Sequence, residues 1–244
     1  MTAMLEAINL SKSFGGLQAL QQISLRIESG ESIGVIGPNG AGKTTLFNLL
    51  TGELKADGGQ VCLDGVNIDS EPIHRRVKLG LARTYQVPRP FAEISVRENI
   101  RVSMMEDSIR SMLKLNRDDK GERSIAQSVG LSVQHLGQLP SELAMGDLRK
   151  LELARTLATD PKVLLLDEVF AGLTYGEIEN ISDLLVTRRK THGTTYLIVS
   201  HDLKALEHLV DGVIVVHSGS IIKKGSFVEA IEDPQVQNAY LGTG

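Results

Sequence analysis

The 244-residue chain has no tryptophan, one cysteine and only 4% aromatic residues. Cys62 alone cannot form an internal disulfide, which excludes a disulfide-stapled secreted scaffold, and no second cysteine or histidine pattern accompanies it to make a zinc site. A reducing compartment, the cytoplasm, is the expected setting. No apolar run approaches the roughly 18 to 20 residues that span a bilayer. The best candidates, Val163 to Leu166 and Val213 to Val216, have strand length, so any membrane role is expected to work through a partner chain. The stretch from Met1 to Phe14 carries acidic and polar residues where a secretory signal would be apolar, and lacks the arginines of a transit peptide, so it is expected to be mature as written. Positive charge is not in excess: 26 Lys and Arg against 30 Asp and Glu leave a net charge of -4. That excludes a generally basic surface, and no nucleic-acid partner is expected.

What remains is an ordinary folded composition, 41% hydrophobic and 23% charged, with no internal repeat. From Leu5 to Ile36 short apolar stretches alternate with turns at Phe14-Gly15-Gly16 and Ser29-Gly30-Glu31, which predicts antiparallel strands feeding a central strand. After Gly42 the pattern changes to a helical face of Leu46, Phe47, Leu49 and Leu50, stopped at Thr51-Gly52. Val61, Leu63, Val66 and Ile68 predict a further strand pair. Pro88 and Pro90 break the chain, and Met, Leu, Glu, Arg and Lys at helical spacing from Val96 to Leu157 predict a mostly helical insertion. A buried strand at Val163 to Leu166, a helix near Tyr175 to Lys190, a strand at Thr195 to Val199 and a helix after Asp202 then alternate as in a parallel α/β sheet. A hairpin about Ser218-Gly219-Ser220 and a short helical tail close the chain.

Gly37-Pro38-Asn39-Gly40-Ala41-Gly42-Lys43-Thr44 follows an apolar strand and opens a helix, the setting of a phosphate-binding loop. Glycines let backbone N–H groups turn inward, and the positive end of the helix adds to the attraction for phosphate. Lys43 would reach the β- and γ-phosphates and Thr44 would ligate Mg²⁺. Val163-Leu164-Leu165-Leu166-Asp167-Glu168 carries two carboxylates to the end of a buried strand. A strand end meeting solvent would account for the acids alone. Beside a phosphate loop, Asp167 can hold Mg²⁺ and Glu168 can polarise an attacking water, which favours hydrolysis over transfer to an acceptor. No Asn-Lys-x-Asp guanine-reading motif is present.

The phosphate loop, Gln86 after a strand, Leu143-Ala144-Met145-Gly146-Asp147 before a helix, Asp167-Glu168, Ala171-Gly172-Leu173-Thr174 and Ser200-His201-Asp202 occur in the order of ATP-binding-cassette subunits, and the chain resembles that family over essentially its whole length. Ala82-Arg83-Thr84-Tyr85-Gln86 and the ending Asp233 to Gly242 look most like the ATPase subunits of branched-chain amino-acid and related amide importers. The resemblance implies a single ATPase domain over 1–244. Its α/β phosphate-loop core (1–87 and 158–244) has a mainly parallel sheet and an antiparallel β subdomain, and a helical signature subdomain covers 88–157. It implies ATP and Mg²⁺ as ligands, with Asn39, Gly40, Ala41, Gly42, Lys43, Thr44 and Thr45 on the nucleotide and Thr44, Gln86 and Asp167 around the metal. Catalysis would fall to Glu168, with His201, Gln86 and Lys43 assisting.

The resemblance further implies a sandwich in which Ala144 and Gly146 of one subunit close on the nucleotide of another, a homodimer or a pairing with a sister ATPase. The partners would be integral permease subunits at the cytoplasmic face of the plasma membrane, and indirectly an extracytoplasmic solute-binding protein. Phe14 stands where the family places an aromatic that stacks on adenine; a core phenylalanine at a turn is the other explanation. Gln86 and His201 would otherwise be an exposed loop amide and an ordinary surface histidine, and Tyr85 is expected to pack in the core. The chain departs from the family at Ala144, Met145 and Asp147 in the signature, at Val169 after the acid pair and at Thr174 in the following loop. A soluble cassette acting on ribosomes or nucleic acid is the alternative function, although one phosphate loop and no heptad insertion speak against it. A non-transporting assembly or regulatory cassette is a third option.

Overall fold

The computed structural model describes residues 3–105 and 120–241. The stretch 106–119 of the expected helical insertion and the ending after Leu241 lie outside the described residues.

Strands β1 (Ala3–Phe14) and β2 (Leu17–Glu28) form an antiparallel hairpin. Leu5, Ala7 and Leu10 face the interior although Ala7 and Leu10 differ by an odd number of positions, and a register shift between them restores the inward face. The chain continues through β3 (Ser32–Ile36), α1 (Lys43–Thr51), β4 (Gly58–Leu63) and β5 (Val66–Asn67). β4 pairs with the free edge of β1, giving an antiparallel sheet of order β2-β1-β4-β5.

Next come α2 (Ile73–Lys78), β6 (Leu81–Arg83), α3 (Val96–Met104) and α4 (Lys120–Ser128). Two short 3₁₀ turns lead to α5 (Met145–Ala158) and β7 (Val163–Asp167), followed by α6 (Tyr175–His192), β8 (Thr195–Val199), α7 (Leu203–Leu209), β9 (Gly212–His217), β10 (Ser220–Gly225), α8 (Phe227–Ile231) and α9 (Pro234–Leu241). The second sheet has the order β10-β9-β3-β8-β7-β6; β3 and β6 to β9 run parallel, and β10 closes one edge antiparallel. The expected α/β core, antiparallel sheet and helical insertion are all present among the described residues.

Parallel strands covered on both faces must be apolar throughout, and every residue of β3, β7 and β8 is buried. Strand alternation divides them between two layers. Val163 and Leu165 pack with Leu46, Phe47 and Leu50 of α1 and with Leu5 and Leu10 of the antiparallel sheet. Leu164 and Leu166 face the opposite way, toward Leu151, Ile181 and Leu185 on α5 and α6. Each fully buried leucine contributes about 2 kcal/mol. The parallel strands all end on one side, so the residues after β3, β6, β7 and β8 converge on a single sheet edge.

Candidate functional site

At that edge a cleft of 710 Å³ is lined by Phe14, the loop and helix start from Asn39 to Thr45, Gln86, Asp167, Glu168, His201, Ser218 and Gly219. Of the residues expected to bind nucleotide or metal or to assist catalysis, only Ala144 and Gly146 are elsewhere.

The loop after β3 needs glycine for space and backbone angle alike. Gly37 has φ of 151° and a Cβ there would stand 2.0 Å from the Val216 carbonyl oxygen; Gly42 has φ of 107° and a Cβ would stand 2.7 Å from Leu20 Cδ2. Gly42 precedes helix α1 as an N-cap without a side chain, which leaves the N–H groups of the first turn directed at the cleft. Lys43 Nζ donates to the carbonyls of Gly37 at 2.6 Å and Pro38 at 2.9 Å. Burial pulls the Lys43 ammonium below the ordinary lysine range, opposed by the charges of Glu168 and Asp167. The turn after β9 braces the loop: Gly219 N–H donates to the Ala41 carbonyl at 3.0 Å, and Gln21 N–H donates to the Gly219 carbonyl at 2.8 Å. Sequence inspection gave this turn no part in the site, because its contacts are distant in the chain.

Glu168 follows β7 with φ of 53°, a left-handed conformation rare for such a side chain and of the kind that concentrates at functional sites. Its Oε2 accepts the His201 backbone N–H at 3.3 Å, and Oε1 lies 3.3 Å from His201 Nε2. Burial raises the Glu168 carboxyl above the usual range; His201 works against that rise, Asp167 adds to it, and Lys43 offsets part of it. Ser200 and Asp202 are otherwise engaged. Ser200 Oγ accepts the Asp202 N–H at 3.0 Å, and the Asp202 carboxylate caps α7 through the Ala205 N–H.

Asp167 is held from behind. Its N–H donates to Thr84 Oγ1 at 3.1 Å, and Arg83 Nη2 donates to its Oδ2 at 2.6 Å, with both side chains buried. The sequence reading gave Arg83 no role. Thr44, Asp167 and Gln86 bring a hydroxyl, a carboxylate and an amide to the same wall. Among the described residues no cluster of three His, Cys, Asp or Glu could hold a metal unaided. This sparse oxygen set fits Mg²⁺, which keeps waters and shares phosphate oxygens rather than filling a protein cage.

Phe14 stands at the cleft's lip, 44% exposed, with Lys12 Nζ 5.5 Å from its ring centre. Tyr85 is half-buried outside the cleft, and burial, with help from Glu53, pushes its hydroxyl up to about 12. Ala144 caps α5 without a side-chain hydrogen bond, Met145 is 59% exposed, and Gly146 faces the Gly172 carbonyl and Leu173.

A family model described as ABC transporter matches residues 20–171. The chain is 35% identical to the high-affinity branched-chain amino acid transport ATP-binding protein LivG of Salmonella typhimurium over 99% of both chains. It is 33% identical to the corresponding BraF of Pseudomonas aeruginosa over 98% of both. Among solved structures, an ATP-binding cassette of an ABC transporter in its ADP conformation superposes with a TM-score of 0.83 at 29% identity, covering 99% of this chain and 100% of that one. A nucleotide-free ATP-binding cassette superposes with a TM-score of 0.84 at the same 29% identity and the same coverage.

Proposed function

We propose, from the premise that this chain belongs to the ABC transporter family and is an ABC-type ATPase, that it energises import of branched-chain amino acids or related amides through permease subunits on other chains. The solute class is taken from the relatives' names. The observation that supports the catalytic reading best is the convergence of phosphate loop, acid pair, Gln86 and His201 on one cleft.

In this reading the first-turn N–H groups of α1 and Lys43 bind the phosphates, and Phe14 offers its exposed face to the base. Thr44, Asp167 and Gln86 would hold Mg²⁺, which when bound neutralises charge on the β- and γ-phosphate oxygens. Glu168 orients and polarises the attacking water, while His201 fixes the Glu168 carboxylate through its N–H and ring. The start of α5 has no side chain capping its N–H groups and does not line the cleft. The arm 88–157 would therefore present Ala144 and Gly146 to the nucleotide of a second ATPase subunit, with the Gly146 backbone in place of the missing serine hydroxyl.

Affinity purification from detergent-solubilised native membranes, with partners identified by mass spectrometry, tests the assignment. Permeases, a sister ATPase and a solute-binding protein are expected; recovery only with ribosomes or soluble factors would refute transport. In the purified chain, Glu168→Gln is expected to lower ATP turnover by about 10² or more while ATP binding persists. Unchanged turnover would remove Glu168 from its role.

A further inference from the structure

We propose that Arg83 is a positioning residue of the ATPase: it fixes the Asp167 carboxylate for Mg²⁺ and ties its orientation to the groove beside the Gln86 loop. The inference rests on the Mg²⁺-ATP reading of the cleft.

Arg83 ends β6 and is buried. Its guanidinium bridges two walls: Nη2 donates to Asp167 Oδ2 at 2.6 Å, while Nη1 donates to Asn48 Oδ1 at 2.5 Å and Glu53 Oε1 at 3.2 Å. The planar fork sets the angle between these bonds, which an ammonium could not do. Thr84 Oγ1 fixes the Asp167 backbone and Arg83 occupies Oδ2, so Oδ1 is the oxygen left for the cleft. Among the described residues no acceptor reaches Arg83 Nε, although it is buried.

The opposite side of Arg83 opens on a second groove of 170 Å³ between the core and the helical arm. Two guanidinium groups lie over the Tyr85 ring, Arg83 and Arg89, each 5.3 Å from its centre. Arg155 Nη1 donates to the Arg89 carbonyl at 2.8 Å, anchoring that stack to α5. A group that enters the groove and shifts Tyr85 or Arg89 must therefore disturb Arg83, and with it Asp167.

The test uses the full chain with Arg83→Met, Arg83→Lys and Tyr85→Leu, measuring ATP affinity in EDTA and in Mg²⁺ together with the Mg²⁺ dependence of turnover. Arg83→Met is expected to bind ATP in EDTA within about twofold of wild type yet to need roughly 10- to 100-fold more Mg²⁺ for half-maximal turnover. Its kcat falls while KM for ATP is nearly constant. Arg83→Lys keeps the charge without the fork and recovers part of the loss. Tyr85→Leu, whose side chain lines the second groove rather than the cleft, moves the Mg²⁺ midpoint in the same direction. An unchanged midpoint in Arg83→Met, or an equal loss of ATP affinity with and without Mg²⁺, overturns the proposal. If Arg83→Met is not recovered folded, Arg83→Lys decides by the same criteria. An unchanged midpoint in Tyr85→Leu overturns the link to the groove. A wild-type chain that neither binds nor hydrolyses ATP refutes the underlying reading, and that result is seen before any variant is compared.

Discussion

Glu168 combines a left-handed backbone, a buried carboxylate and a histidine on both of its oxygens. Burial raises its pKa, so the protonated, inactive form persists to higher pH than for a free glutamate, and turnover falls as pH drops through that raised value. The acid limb of kcat should thus lie above the ordinary glutamate range. His201 opposes the rise, so His201→Ala should move the limb further up; a limb that stays put or moves down would show that another group titrates. The sign for stability agrees. A raised carboxyl pKa favours the fold below the unfolded value and loses that advantage as pH climbs through the folded one, so Glu168→Gln should melt higher than wild type at neutral pH. The phosphate loop and acid pair were legible because each is contiguous in the chain. Arg83 was not, since Asp167, Asn48 and Glu53 lie 84, 35 and 30 positions away and nothing local marks the fork.

Among the elements, α5 and α6 are joined by one lysine. Lys150 Nζ donates to Asp147 Oδ1 at 3.0 Å within α5 and to Glu177 Oε1 at 2.5 Å in the first turn of α6. Glu177 also closes a capping box with Thr174, which binds the start of α5 to the loop after the acid pair. The hydrogen bond from Lys150, with those from Thr174, holds the Glu177 carboxyl down to about 2. A depressed carboxyl pKa stabilises above the unfolded value and loses its effect as pH falls toward the folded one. Lys150→Met should therefore cost about 1 kcal/mol in urea unfolding at neutral pH, and the difference from wild type should shrink by pH 3. A gap of the same size at both pH values would mean that the packing of the lysine stem, not its charge, holds the helices. The strands expected at Val163 to Leu166 and Thr195 to Val199 were legible from their apolar runs, the first reaching one residue further to Asp167. The helix α2 was not among the expected elements, its sequence being a charged stretch around His74, Arg75 and Arg76. Arg76 is in fact buried, donating to the Leu49 and Leu50 carbonyls at the end of α1. An arginine that satisfies a helix end looks the same in sequence as one that faces water.

For the molecule as a whole, the candidate site residues fall on two surfaces. Phosphate loop, acid pair and His201 share the cleft, whereas Ala144 and Gly146 sit on the arm outside it, Gly146 against Gly172 and Leu173. If the signature serves the nucleotide of a second subunit, as proposed, activity should complement between different defects. Lys43→Ala spoils the loop but leaves the signature intact, and Gly146→Asp does the reverse by placing a negative charge where phosphate must approach. Each variant alone forms only defective sites. Mixed in equal amounts, half of random dimers are hetero-pairs, and each of those carries one complete site, built from the sound loop of one chain and the sound signature of the other. Turnover should recover to roughly a quarter of wild type, and specific activity of the wild-type chain should rise with protein concentration. Mixtures no more active than the separate variants would show that two copies of this chain do not complete each other's sites, and the same test would then be run against the sister ATPase.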